Sequence, residues 1–164
     1  SRVSSVYAEN DSSVWIGSEA GLVHFYKGRF EYLRDQFPEL DIRILDIKYR
    51  KIENEFWLAS KGRGIMVLKN GNLYQLGRRH GLSGNSVSAI EIQGAVVWAA
   101  TNCGINKITV ADIDNGNYAV QQLNESFGLL SNEVNDLIIK QDTLFIAGTA
   151  GLCLFNTHDY KNSG

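Results

Sequence analysis

One phrase occurs four times in this 164-residue sequence, and such a recurrence restricts the fold more than any single motif does. Residues 14–25 read VWIGSEAGLVHF, 56–66 read FWLASKGRGIM, 97–106 read VWAATNCGIN and 144–153 read LFIAGTAGLC. Each is an apolar run that ends in small residues, followed by a short polar loop and a second run opened by glycine. With the aromatic residue as marker, the steps are 42 residues from Trp15 to Trp57, 41 from Trp57 to Trp98 and 47 from Trp98 to Phe145. A period of this length marks an array of similar units that bury their faces against one another. The last step is longer because residues 109–120, TVADIDNGNYAV, carry an insertion with its own Asp-Asn-Gly turn signal. Setting Ile146 at the marker in place of Phe145 shortens the next loop by one residue and leaves the period unchanged.

A second phrase recurs between the first, as HGLSGNSVSAI at 80–90 and FGLLSNEVNDL at 127–137, with a degenerate form LDIRILDI at 40–47. One unit is therefore a Gly-Leu polar loop, an apolar strand, a variable turn, the marker strand, a small-residue loop, a Gly-opened strand, another turn and a final strand. The second unit shows it best: IRILDIKY, FWLAS, GIMVLK and NLYQL, separated by KIENE, KGR and NGN. Asn70-Gly71 is a hairpin signal, because a two-residue turn requires positive φ. Gly17-Ser18, Ala59-Ser60 and Ala100-Thr101 suit strands that converge on an axis, where room is short. The predicted fold is all-β: a partial β-propeller of about four blades, each a four-stranded antiparallel sheet. The chain is one fragment, 1–164, with blades at about 1–39, 40–80 and 81–126 and an incomplete fourth at 127–164. Trp15, Trp57, Trp98 and Phe145, with Gly21, Gly64, Gly104 and Gly151, are its structural repeat positions, and the tryptophans are assigned to the core. Leucine-rich and helical repeats fit neither the period nor the alternation.

Sixteen glycines against one proline agree with many short strands and tight turns. A formal charge of −2 provides no broad footprint for nucleic acid or an anionic membrane, and no apolar run is long enough to span a bilayer. An unclosed arc of four blades exposes two apolar faces. The array is therefore expected to continue in a longer parent, and the isolated chain to self-associate; closure of four blades alone is the remaining outcome.

Catalytic constellations are missing from the spacing. His24, His80 and His158 are far apart and form no metal-ligand motif, so no metal or cofactor is expected. GRGIMV at 62–67 lacks the third glycine of a dinucleotide loop, and GLSGN at 81–85 misses the nucleophile-elbow spacing. Glu53 and Glu55 read as a solvated turn. Cys103 and Cys153 read as buried small apolar residues and not a bridge.

GLSGNSVSAI with VWAATNCGINKI, and VWIGSEAGLVHF with Lys27-Gly28-Arg29-Phe30, resemble the two-component regulator propeller repeat. The match is weaker at 56–66, which has an extra loop residue, and at 144–153, which lacks the Trp. The resemblance implies a periplasmic or extracytoplasmic sensor portion of a bacterial, often hybrid, sensor histidine kinase that detects glycans. It also implies further blades, a downstream β-sandwich and a kinase outside this segment. The segment itself is expected to be a non-enzymatic binder that signals through rearranged domain or protomer contacts. A protein-interaction scaffold and a propeller lyase or hydrolase are the alternatives.

In such a disc the loops that enter the inner strand and those between the second and third strands share one face: 81–85 and 128–133, with 18–21, 60–63, 101–103 and 149–150. Their variable residues, Glu19, Lys61, Arg63 and Asn102, with Arg78, Arg79 and His80 approaching the same face, are the candidate ligand-binding set. Guanidinium, ammonium and amide donors suit sugar hydroxyls or a sugar carboxylate.

Overall fold

Asn70 and Gly71 both adopt positive φ, 49° and 77°, and turn the chain between two paired strands as the dipeptide predicts. Lys27 and Gly28 do the same one unit earlier, at 47° and 81°. The computed structural model describes residues 1–158. It contains four antiparallel meanders in chain order. The first comprises β1 (Val3–Asn10), β2 (Ser13–Ser18), β3 (Gly21–Tyr26) and β4 (Arg29–Tyr32). The second comprises β5 (Ile44–Arg50), β6 (Glu55–Ser60), β7 (Ile65–Lys69) and β8 (Asn72–Leu76). The third comprises β9 (Val87–Gln93), β10 (Val96–Thr101), β11 (Gly104–Asp112) and β12 (Asn117–Leu123). The fourth has three strands, β13 (Val134–Lys140), β14 (Thr143–Gly148) and β15 (Gly151–Asn156). Residues 159–164, the end of the expected fourth blade, lie outside the described residues.

The first strands of successive sheets approach one another in the order β1, β5, β9, β13, so they line the axis and the remaining strands step outward. No comparable approach joins β13 back to β1 among the described residues: the blades form an open arc. This is the partial propeller that the repeat predicts.

Register explains the marker residue. Trp15 pairs with His24, Trp57 with Val67, Trp98 with Lys107 and Phe145 with Leu154, so all four project from the same side of their blades. That side faces the following blade. Trp15 packs with Ile44, Ile47, Phe56 and Leu58 of blade two. Trp57 packs with Val87, Ile90 and Val97 of blade three, and Trp98 with Val134, Leu137 and Leu144 of blade four. The assignment of the tryptophans to the core holds, with Trp57 and Trp98 fully buried. Ile146 is on the opposite side of β14, which fixes Phe145 as the marker.

Two readings are corrected. Glu55 is on β6, completely buried. Its carboxylate accepts hydrogen bonds from Arg50 Nε at 2.8 Å and Trp57 Nε1 at 2.9 Å, and Lys69 Nζ lies 3.3 Å away. Lys69 continues to Asp114 at 2.8 Å, in the β11–β12 turn that contains the insertion, so the longer hairpin of blade three is tied to blade two. A carboxylate beside a turn reads as solvated in sequence because its cations, Arg50 of β5 and Lys69 of β7, are brought to it by the two strands that flank β6. Cys103 is exposed and Cys153 half-buried, and both are free thiols. Cys103 occupies the outward position of the β10–β11 loop, which no neighbour covers.

Candidate ligand-binding face

In the first three blades the loop between the second and third strands is built by a small hydroxyl. Ser18 Oγ donates to the Gly21 carbonyl at 3.1 Å, Ser60 Oγ to Gly64 at 2.8 Å and Thr101 Oγ1 to Gly104 at 2.9 Å. The same oxygens accept from the loop amides of Ala20, Arg63 and Cys103. Crowding accounts for the preceding residue: a Cβ on Gly17 would meet the Ile44 side chain at 3.0 Å. In the first three blades the glycine at the start of the third strand has two reasons to be glycine. Gly64 takes φ +78°, and a Cβ there would be 2.1 Å from the Leu76 carbonyl oxygen.

The second phrase explains itself in the same way. Asn85 Oδ1 accepts from the Arg78 amide at 2.9 Å, and its backbone carbonyl accepts from Gly62 and Gly64 at 3.0 and 2.7 Å. Asn132 repeats this one blade later, with Oδ1 accepting from Glu125 and its carbonyl from Gly104. Asn85 thus fixes two segments that sequence places far apart, the 61–64 loop and the turn at Arg78–His80.

The candidate residues divide accordingly. Lys61, Arg63 and Arg78 are exposed and gathered around Asn85 at the junction of blades two and three. No carboxylate lies within ion-pair distance of any of the three among the described residues. Glu19 and Asn102 are exposed on the equivalent loops of blades one and three, and so flank this junction. His80 is half-buried, and its Nδ1 accepts from the Gly77 amide at 2.9 Å, which gives it a structural job. Arg79 departs from the group. It lines a rim groove of about 350 Å³ between β8 and β12 with Tyr74, Tyr118 and Asp114. The Tyr74 hydroxyl donates to Asp114 at 2.6 Å, and this hydrogen bond holds the phenol above its ordinary pKa.

Sequence reading missed a polar seam along the axis. Asp46 of β5 accepts from the Ile90 amide of β9 at 2.9 Å and from its neighbour Ile47 at 2.9 Å. Lys48 bridges to Glu91 of β9 at 3.1 Å. Burial holds Asp46 above the usual carboxylate range, against the opposing pull of these amides and of Lys48. Burial acts to lower Lys48, but Asp46, Glu91 and Asp136 together outweigh it and raise the ammonium. The seam aspartate recurs only in blades two and four, as Asp46 and Asp136, with Ser5 and Ala89 at the same register in blades one and three, so the repeat announces it weakly. Asn85 and Asn132 did carry a signal: they occupy the same position of the second phrase.

An open arc of propeller blades with one loop-bearing, cation-rich face is the class of protein defined here. No protein-family profile matches the chain, and no curated protein does. Among solved structures, the extracellular domain assigned to the hybrid two-component system BT3049 of Bacteroides thetaiotaomicron superposes with a TM-score of 0.74 at 20% identity, over 99% of this chain and 22% of that one. The extracellular domain assigned to the one-component system BT4673 of the same organism gives 0.77 at 17% identity, over 98% of this chain and 24% of that one. Saccharomyces cerevisiae Sqt1 gives 0.67 at 14% identity, over 99% of this chain and 48% of that one. The chain spans about a quarter or less of the two bacterial structures it matches. At these identities the likeness establishes the fold.

Proposed function

We propose that this chain is part of the extracytoplasmic sensor region of a bacterial two-component protein of the regulator propeller type, and that it binds an acidic oligosaccharide without chemically altering it. The observation that carries the reading is the cluster of Lys61, Arg63 and Arg78 around Asn85, exposed and with no carboxylate in ion-pair distance among the described residues. Three cations held by a repeating backbone frame are arranged to receive an anion, and two guanidinium groups add bidentate geometry toward a sugar carboxylate. Glu19 and Asn102 on the flanking loops supply an acceptor and an amide for hydroxyl groups. The fold shared with extracellular domains of two bacterial signalling systems supports the sensor role and the location. Signal passes because the ligand binds one arrangement of neighbouring blades, domains or protomers better than another.

Titration calorimetry with oligogalacturonate and with a neutral hexose oligomer of equal length tests this. The acidic oligomer binds and the neutral one does not, and added salt weakens the binding. Arg63→Ala and Arg78→Ala each weaken it by about 10- to 100-fold, the loss of one charge-assisted contact. Arg79→Ala, in the rim groove, leaves it unchanged. Equal binding of both oligomers, or indifference to Arg63→Ala, refutes the anionic site.

A further inference from the structure

Arg43 lies beside the cation cluster, although its position in the sequence gives no hint of it. It precedes Ile44, the first residue of β5, and its carbonyl accepts from the Lys61 amide at 3.0 Å. Lys61 in turn bridges to Ser86, which holds the same place before β9. Arg2 before β1 and Glu133 before β13 extend the row, their carbonyls accepting from the amides of Glu19 and Thr149. Because the first strands line the axis, this row follows its loop-bearing end. Its charge changes along the arc, from arginine in blades one and two to serine in blade three and glutamate in blade four. An anion at this end is drawn toward blades one and two and repelled from blade four.

Arg43 is also the cation that burial leaves without a partner. Of the other lysines and arginines that are buried or half-buried, Lys48 pairs with Glu91, Arg50 with Glu55 and Lys69 with Asp114, and Lys107 lies 5.6 Å from the centre of the Trp98 ring. Arg43 is half-buried, and no carboxylate lies within ion-pair distance of it among the described residues. Its Nε is sealed from solvent with no acceptor among them, which leaves the terminal nitrogens as the open part of the guanidinium. A polar group held in this way calls for an explanation, and an acceptor supplied by a ligand provides one. Across the junction, a Cβ on Gly84 would be 2.7 Å from Asn102 Oδ1. Glycine at position 84 therefore lets the Asn102 amide lie against the 81–85 loop, close to Ser86.

We infer that Arg43, Lys61, Ser86 and Asn102 form an inner subsite for one carboxylate-bearing sugar residue, with Arg43 as its specificity-determining contact. This rests on the acidic-oligosaccharide reading above. The terminal nitrogens of Arg43 take the carboxylate as a bidentate pair, and Lys61 adds a second charge. The Ser86 hydroxyl and the Asn102 amide take hydroxyl groups of the same ring. Arg43 is partly desolvated before the ligand arrives and has no rival carboxylate, so little of the new contact is offset by breaking an old one. A neutral sugar leaves the guanidinium unpaired, and the subsite rejects it for that reason.

Titration calorimetry with oligogalacturonate on the wild type, Arg43→Ala, Arg43→Lys and Arg63→Ala tests the inference, with circular dichroism confirming that each variant is folded. Arg43→Ala weakens binding by about 10- to 100-fold, and Arg43→Lys recovers part of that loss because it keeps the charge without the fork. In a nitrogen–proton NMR spectrum the Arg43 Nε signal, assigned by its absence from Arg43→Lys, moves when oligogalacturonate is added to the wild type and stays in place with the neutral oligomer. An arginine with a purely structural role would not give that response. Binding that Arg63→Ala weakens and Arg43→Ala leaves unchanged overturns this inference alone, as does an Nε signal that stays in place while the acidic oligomer binds. A wild type that binds no oligogalacturonate overturns the acidic-oligosaccharide reading and this subsite together.

Discussion

Removing the Glu55 side chain provides a severe test of the packing. Glu55 is fully buried and serves three donors at once: Arg50, Trp57 and Lys69. In Glu55→Ala, Arg50, only 6% exposed, loses the one ion-pair partner it has among the described residues, and the Trp57 N–H loses its acceptor. Lys69 keeps Asp114 at 2.8 Å and Glu53 at 3.8 Å. One stranded buried cation sets the cost at about 3–5 kcal/mol. Glu55→Gln retains an acceptor oxygen of nearly the same shape, so its cost is about 1–3 kcal/mol. Urea unfolding followed by tryptophan fluorescence measures both. For a chain of this length the alanine variant should melt roughly 6–20 °C lower and the glutamine variant roughly 2–12 °C lower. An alanine variant within about 1 kcal/mol of wild type, or a glutamine variant as damaged as the alanine one, would show that the network is not the buried charge cluster described here.

Gly64→Ala is expected to destabilise far more than Gly28→Ala. Both residues have positive φ, but a Cβ on Gly64 would be 2.1 Å from a carbonyl oxygen and a Cβ on Gly28 meets nothing within 4 Å. Gly28→Ala bears only the backbone cost of about 1–2 kcal/mol, and chemical denaturation separates the two. Asp114 supplies a pH dependence. The Lys69 ammonium, then the Tyr74 hydroxyl, hold its carboxyl below the ordinary value near 4. Its contribution is present above the unfolded-state value and is lost as pH falls through the folded-state one, so melting temperatures at pH 7 and pH 3 differ less in Asp114→Asn than in wild type.

Most of the frame was legible because it repeats. Trp15, Trp57 and Trp98 sit in equivalent junctions, and each hydroxyl after them closes an equivalent loop, so spacing alone located them. Glu55 was misread because the pairing register of β5, β6 and β7 brings Arg50 and Lys69 to its carboxylate, and register is not written in the residues around position 55. Trp98 illustrates the same limit: it shares the repeat position, yet its Nε1 has no acceptor among the described residues, because Val96 stands where blade two has Glu55. On the candidate face, exposure and loop position were readable. Which cations share a neighbour was not, because Asn85 joins Arg78 to the 61–64 loop through backbone contacts. Arg79 is adjacent to Arg78 in sequence and points to a different groove.

Every blade face, on this account, is completed by the next blade. Amide hydrogen exchange measures this strand by strand. The fully buried β6 and the nearly buried β10 should exchange slowest, and β1 and β15 at the open ends fastest. Protection of β15 equal to that of β10 would contradict it.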